Sequence, residues 1–148
     1  MQGGQMQFKI DQPGLIKAAP VALIVGAVSG ALYIVFGLWG IASLLGWIAP
    51  IFGGVWYVMT ARKAGAMPAQ MDGLVNGAIM GALVGLAHGI LALITAPIGL
   101  NSATLGLGGL FAGAFGVGNL ITEVIFGAVG GAAGAFVYSY LVGSGQIK

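Results

Sequence analysis

Between Pro20 and Thr60 the chain carries no charged residue, and from Gly73 to Ile147 it carries only one, Glu123. Segments of that kind cannot face water, and each is much longer than the roughly 20 apolar residues needed to cross a bilayer core of about 30 Å. The chain therefore reads as an all-α integral membrane protein. Composition agrees: 5% of its 148 residues are charged and 59% are hydrophobic, against about 25% charged in a soluble domain. Its 29 glycines follow no G-X-Y period and sit inside the apolar runs, as close-packed membrane helices require. The expected fold is a glycine-rich helical bundle. The absence of cysteine excludes disulfides, iron–sulfur clusters and thiolate metal sites. One histidine and three acids leave little material for a metal site, and five basic residues with a net charge of +2 do not suggest nucleic acid as a partner.

Residues 1–17 read as a polar lead-in, with Pro13 and Pro20 bracketing a turn before the membrane. No cleavable signal is visible, so the first span is expected to act as its own targeting signal. Residues 18–143 form the membrane domain and 144–148 a short tail. The run from Pro20 to Thr60 is long enough for two spans, with a turn around Gly37–Gly40, Trp39 and Trp47 near an interface, and Pro50 kinking the second span. Arg62-Lys63 through Asp72 form the one charged loop, and a third span runs from about Gly73 to Ala96 and stops at Pro97. Leu105–Val142 as a single helix would be about 57 Å long, nearly twice the bilayer core. It is expected to break near Gly116-Val-Gly118-Asn119, giving a short or re-entrant helix over 105–117 and a full span over 119–142. The count is four full spans plus one short element, with six shorter helices as the alternative. Four crossings put Lys9, Lys17, Arg62, Lys63 and Lys148 on one side. The positive-inside rule makes that side cytoplasmic, with both termini inside a multi-pass protein of the cell membrane.

Small residues recur at helical spacing. Ala18, Ala22, Gly26 and Gly30 form one ridge, and Gly77, Gly81 and Gly85 another with His88 three further on. Such ridges pack helices within one chain, or dock the chain onto another membrane protein; the first ridge is a candidate partner-docking face. The pattern G-A-[VI]-x-G-A occurs at Gly26, Gly77 and Gly127. That echo reflects either a structural repeat, as in many carriers, or chance in a chain so rich in Gly and Ala.

Glu123 shares a helix face with Gly116, Gly127, Gly130 and Gly134, so it is expected to point into protein. An acid at that depth is a functional-site hypothesis because its burial is costly; the competing reading is a structural acid that is protonated or satisfied by a neighbour. Asn119 lies one turn earlier on the same face, and Thr122 is adjacent. A carboxylate there can accept a hydrogen bond from a heterocyclic solute or carry a proton. His88 offers a cofactor ligand, a substrate contact or a core hydrogen bond. Tyr33, Trp56, Tyr57, Phe111 and Phe115 are available to wall a pocket for a flat ligand, or else anchor span ends at the interface. Nothing resembles a nucleophile–base pair, a P-loop or a pair of hydrolytic carboxylates, so the chain does not read as an enzyme, and no cofactor is required.

Gly30-Ala-Leu-Tyr33, Phe52-Gly-Gly-Val-Trp56, Arg62-Lys63-Ala-Gly-Ala66 and Glu123-Val-Ile-Phe126-Gly127 occur in that order. The series resembles the YkoE-type substrate-binding membrane subunit (S-component) of energy-coupling-factor vitamin transporters, a type linked to thiamine or its hydroxymethylpyrimidine precursor. Ala64 stands where that family has proline. The resemblance implies Glu123 and Trp56 as ligand contacts; Asn119, Tyr33 and His88 join them from helix geometry. It also implies a transmembrane coupling protein and two cytoplasmic ATPases as partners, since the chain has no Walker A sequence of its own. In that setting the Ala18–Gly30 ridge is the expected docking face.

Three functions follow as expectations. The first is a solute-binding subunit of an ATP-driven importer, with Glu123, Trp56, Asn119, Tyr33 and His88 around a small heterocyclic solute. The second is a structural or accessory subunit of a respiratory or photosynthetic membrane complex, with His88 as a cofactor ligand. The third is a small oligomeric channel or proton-coupled exporter built around Glu123.

Overall fold

The computed structural model describes residues 8–103 and 116–147. They form four long helices: α1 (Gln12–Ala31), α2 (Trp39–Lys63), α3 (Gln70–Ala103) and α4 (Val117–Gly143). All four are long and apolar enough to cross a membrane, as an all-α membrane bundle requires. The span expected over 119–142 is α4. Of the short helix expected over 105–117, residues 105–115, including Phe111 and Phe115, lie outside the described residues.

Several boundaries differ from expectation, each for a local reason. The turn expected between Pro13 and Pro20 is helix. Asp11 caps α1 by accepting the Gly14 N–H at 3.0 Å, and Pro13 occupies the first turn, where its missing N–H costs nothing. Pro20 lies inside the same helix. Between α1 and α2, two single 3-10 turns (Leu32–Ile34 and Phe36–Leu38) are joined at Val35, and the Trp39 indole N–H holds the bend by donating to Tyr33 O at 2.8 Å. Neither Gly37 nor Gly40 is crowded, so the bend is set by that aromatic hydrogen bond. α2 continues through Pro50. It ends in a Schellman motif: Gly65 at φ 78 lets the Gly65 and Ala66 amides reach Arg62 O at 2.9 Å and Ala61 O at 3.1 Å.

Pro97 does not stop α3, which runs on to Ala103. The turns around it are held from outside. Thr95 Oγ1 lies 2.8 Å from both Gly30 O and Leu91 O, and Gly99 presses against the carbonyls of Tyr33 and Ile34. Tertiary support of this kind offsets the one backbone hydrogen bond that a proline removes.

α2 and α3 pack together at the centre and each touches the other helices, while α1 and α4 flank them on opposite sides. Glycine sets the separations. Gly77, Gly81 and Gly85 of α3 meet Gly131, Gly127 and the backbone of Glu123 in reverse order, so α3 and α4 run antiparallel. A Cβ at Gly127 would lie 2.5 Å from Gly81 O and one at Gly81 would lie 2.6 Å from Gly131 Cα. Any side chain would wedge the pair apart. Lipid offers no hydrophobic drive for helix association, so this backbone-to-backbone van der Waals contact is what holds the pair. On α1, a Cβ at Gly26 would lie 2.5 Å from Val84 O, and Gly30 approaches the His88 carbonyl as closely, while Ala18 and Ala22 are fully buried. The Ala18–Gly30 ridge is therefore covered by α3 and offers no outward docking face. Each copy of the G-A-[VI]-x-G-A pattern marks one of these close crossings.

The bundle has two distinct ends. One gathers the start of α1, the α2–α3 loop and the end of α4, and it holds Lys9, Lys17, Arg62 and Lys63. The other gathers the α1–α2 bend, the end of α3 and the start of α4.

Candidate functional site

At the end away from the basic residues a cavity of about 310 Å³ opens between the α1–α2 bend, α2 and α4. Two helical stripes face each other across it. Ser43, Gly46, Trp47 and Pro50 come from α2, and Asn119, Thr122, Glu123 and Phe126 from α4; Tyr33 completes the wall. Each stripe follows the spacing i, i+3, i+4, i+7, which is one face of a helix. The Trp47 and Phe126 rings meet at 5.0 Å between centroids, and the Tyr33 hydroxyl lies 2.8 Å from Ser43 Oγ.

Glu123 reaches this position because α3 has no side chain at Gly89. A Cβ there would sit 3.4 Å from Glu123 Cβ and 3.6 Å from Cγ, so the acidic stem lies along the α3 backbone. Glu123 is half-buried. Thr122 spends its hydroxyl proton on Gly118 O at 2.9 Å. Among the described residues no hydrogen bond engages the side chains of Glu123 or Asn119. The site thus offers a carboxylate, an amide and a hydroxyl oxygen beside aromatic faces. That combination suits a small flat solute carrying positive charge or N–H donors.

The structure thus brings Tyr33, Asn119 and Glu123 to one cavity. His88 lies just behind its wall and is 1% exposed. Its ring packs edge-on against Tyr33 at 5.8 Å, and Nδ1 is 2.8 Å from Ser29 Oγ. Trp56 is elsewhere. It follows Pro50 by six residues on α2, about 9 Å farther along the axis, where it stacks on Phe52 at 5.8 Å and carries Lys63 Nζ 5.8 Å above its ring. Its spacing from Trp47 and Pro50 does not keep it on the cavity face. Tyr57 is fully buried and its hydroxyl donates to Asp11 Oδ2 at 3.2 Å.

Sequence reasoning missed Ser43, Trp47 and Phe126 as cavity residues. The available signal was the matching i, i+3, i+4, i+7 stripes of polar and aromatic residues on the second and fourth spans. It also missed a polar clasp at the opposite end. Fully buried Asn76 donates to Lys9 O at 2.9 Å and to Asp72 O at 2.7 Å, and accepts the Asp11 N–H at 2.9 Å. The Lys9 N–H in turn donates to Asp72 Oδ1 at 2.8 Å. A larger cavity of about 500 Å³ at that end, lined by residues such as Met67, Phe136 and Tyr140, has no charged side chain in its wall and offers less chemistry. No group of three or more His, Asp or Glu side chains placed to hold a metal ion occurs among the described residues.

No protein-family model, curated protein or solved structure matches this chain significantly.

Proposed function

We propose that this chain is the solute-binding membrane subunit of an ATP-driven importer, taking a small cationic or heteroaromatic compound into the cavity at Glu123. The observation that carries the reading is the meeting of Glu123, Asn119 and Thr122 with Tyr33, Trp47 and Phe126 around one volume of about 310 Å³. That size is at the lower end of ligand pockets and suits a compound of one or two rings. The cavity opens at the end opposite Lys9, Lys17, Arg62 and Lys63. The positive-inside rule puts those basic residues in the cytoplasm and the mouth outside, where an importer must collect its solute.

The resemblance to the YkoE-type S-components supplies the finer expectation: a thiamine-related vitamin or precursor, with a transmembrane coupling protein and cytoplasmic ATPases as partners. The Glu123 part of that resemblance lies at the cavity and the Trp56 part does not. Docking to a coupling protein would use a surface other than the Ala18–Gly30 ridge, which α3 covers. The same covering removes the ridge as support for an accessory-subunit role.

The test is isothermal titration of the detergent-purified chain with thiamine and with hydroxymethylpyrimidine. Saturable binding that weakens at least about tenfold in Glu123→Gln, the loss of one charge-assisted contact, is the expected result. Equal affinity in Glu123→Gln removes Glu123 as the contact, and no binding of either compound removes the vitamin assignment. Copurification from the native membrane tests the partner expectation, through recovery of a coupling protein and ATPases.

A further inference from the structure

Away from the Glu123 cavity, a groove of about 380 Å³ runs between α1 and α2. Ile24 and Val28 of α1 line it, with Leu45, Ile48 and Phe52 of α2. Ile24, Val28 and Ile48 are 62%, 56% and 48% exposed, so the groove faces outward, where lipid surrounds a membrane bundle. Ser29 also belongs to the wall, but its hydroxyl is engaged at 2.8 Å with both Gly26 O and His88 Nδ1. No free polar group is left in the wall for a polar solute, and what fits is a hydrocarbon chain.

Each wall of the groove leads to a lysine at the basic end. On α1, Lys17, Val21, Ile24 and Val28 follow the spacing i, i+4, i+7, i+11 and share one face. Lys17 is exposed, about 10 Å along the axis from Ile24. On α2, Trp56 stacks on Phe52 one turn later, and Lys63 folds back to place Nζ 5.8 Å from the Trp56 ring centre. Trp and Lys are the side chains that anchor a span at headgroup level. From Trp56 the axial rise is about 6 Å to Phe52 and about 17 Å to Leu45, close to the roughly 15 Å hydrocarbon depth of one leaflet.

The acids at this end do not neutralise those lysines. Asp11 accepts the Gly14 N–H and the Tyr57 hydroxyl, and Asp72 accepts the Lys9 N–H. Among the described residues no carboxylate pairs with Lys17 or Lys63. We propose that the α1–α2 face binds one anionic phospholipid from the leaflet at the basic end. Lys17 and Lys63 hold its phosphate, and one acyl chain lies along the groove past Phe52. The site is separate from the Glu123 cavity and does not depend on what that cavity takes.

The test is native mass spectrometry of the full-length protein in detergent, titrated with phosphatidylglycerol or with phosphatidylcholine of the same acyl chains. One phosphatidylglycerol is expected to bind at least about tenfold more tightly than phosphatidylcholine. Lys17→Gln with Lys63→Gln is expected to bring phosphatidylglycerol down to the phosphatidylcholine affinity. Lys9→Gln with Arg62→Gln removes the same charge from the same end but away from the groove. Lys9 lines a separate cavity beside Asp72, and Arg62 lies about 100° around α2 from Lys63. That pair is expected to leave the preference in place. Ile48→Trp fills the groove from its exposed wall and is expected to weaken phosphatidylglycerol with both lysines present. Equal affinity of the wild type for the two lipids overturns the proposal, whatever the variants do. Equal losses in the two double variants reduce the effect to general surface charge and also overturn it, as does unchanged binding in Ile48→Trp.

Discussion

The two ends of the bundle treat their polar groups in opposite ways. At the basic end, Asn76 satisfies three hydrogen bonds within the chain, and the Asp11 carboxylate takes the Gly14 N–H on one oxygen and the Tyr57 hydroxyl on the other. At the other end, Glu123 and Asn119 line a cavity with their side chains unengaged among the described residues. Buried polar groups are ordinarily paired, and an acid within a membrane span is costly to keep. The closed network is accounted for by stability alone: it staples the start of α1 to α3 and α2. The open one sets half-buried Glu123 and exposed Asn119 beside aromatic walls, and the proposed solute-binding reading accounts for it by reserving both for an occupant.

This contrast can be broken by substitution, and the largest effect should come from the middle of the molecule, which serves both ends. A Cβ at Gly131 of α4 would lie 2.6 Å from Gly81 Cα of α3. Gly131→Leu is expected to cost about 3 kcal/mol or more through overpacking, read as loss of the folded fraction in detergent unfolding, and to abolish binding with it. Next comes the clasp. Asn76→Leu leaves the Asp11 amide without its acceptor and is expected to cost about 2–3 kcal/mol, while protein that remains folded binds solute normally. Glu123→Gln sharpens the comparison from the other side: thermal stability is expected to hold, and affinity to fall at least about tenfold, or ~1.4 kcal/mol. The smallest effect belongs to Tyr57→Phe, which removes one 3.2 Å hydrogen bond to Asp11. It is expected to cost about 1 kcal/mol of stability with no change in titrated affinity.

Much of the closed, helical part of the molecule was legible in the sequence. Charge-free length gave the spans, and the fourfold spacing of glycine gave the faces that cross. Gly127 and Gly134 do face protein, and Glu123 shares their side of α4 as far as the cavity. Proline was the main source of error. Its local cost at positions 20 and 97 is real, but packing of Thr95 and Gly99 against the first helix and its bend carries α3 past Pro97. The Asp11-Gln-Pro-Gly start of α1 was readable as a capped N-terminus and marks the helix six residues before the expected domain edge. The clasp was not readable, because its partners lie 63 to 67 residues apart and no spacing rule joins them. Trp56 was named as a pocket aromatic and as a ligand contact implied by the resemblance, and the helical phase of α2 turns it away from Trp47.

The most direct measurement is a thiamine titration run in parallel on the wild type, Glu123→Gln and Tyr57→Phe, with an unfolding curve for each. Wild type and Tyr57→Phe are expected to bind alike, and Glu123→Gln to bind at least about tenfold more weakly at unchanged stability. Equal binding by all three, or a loss of stability in Glu123→Gln as large as that of a clasp variant, would make Glu123 a structural acid and contradict the division between the two ends.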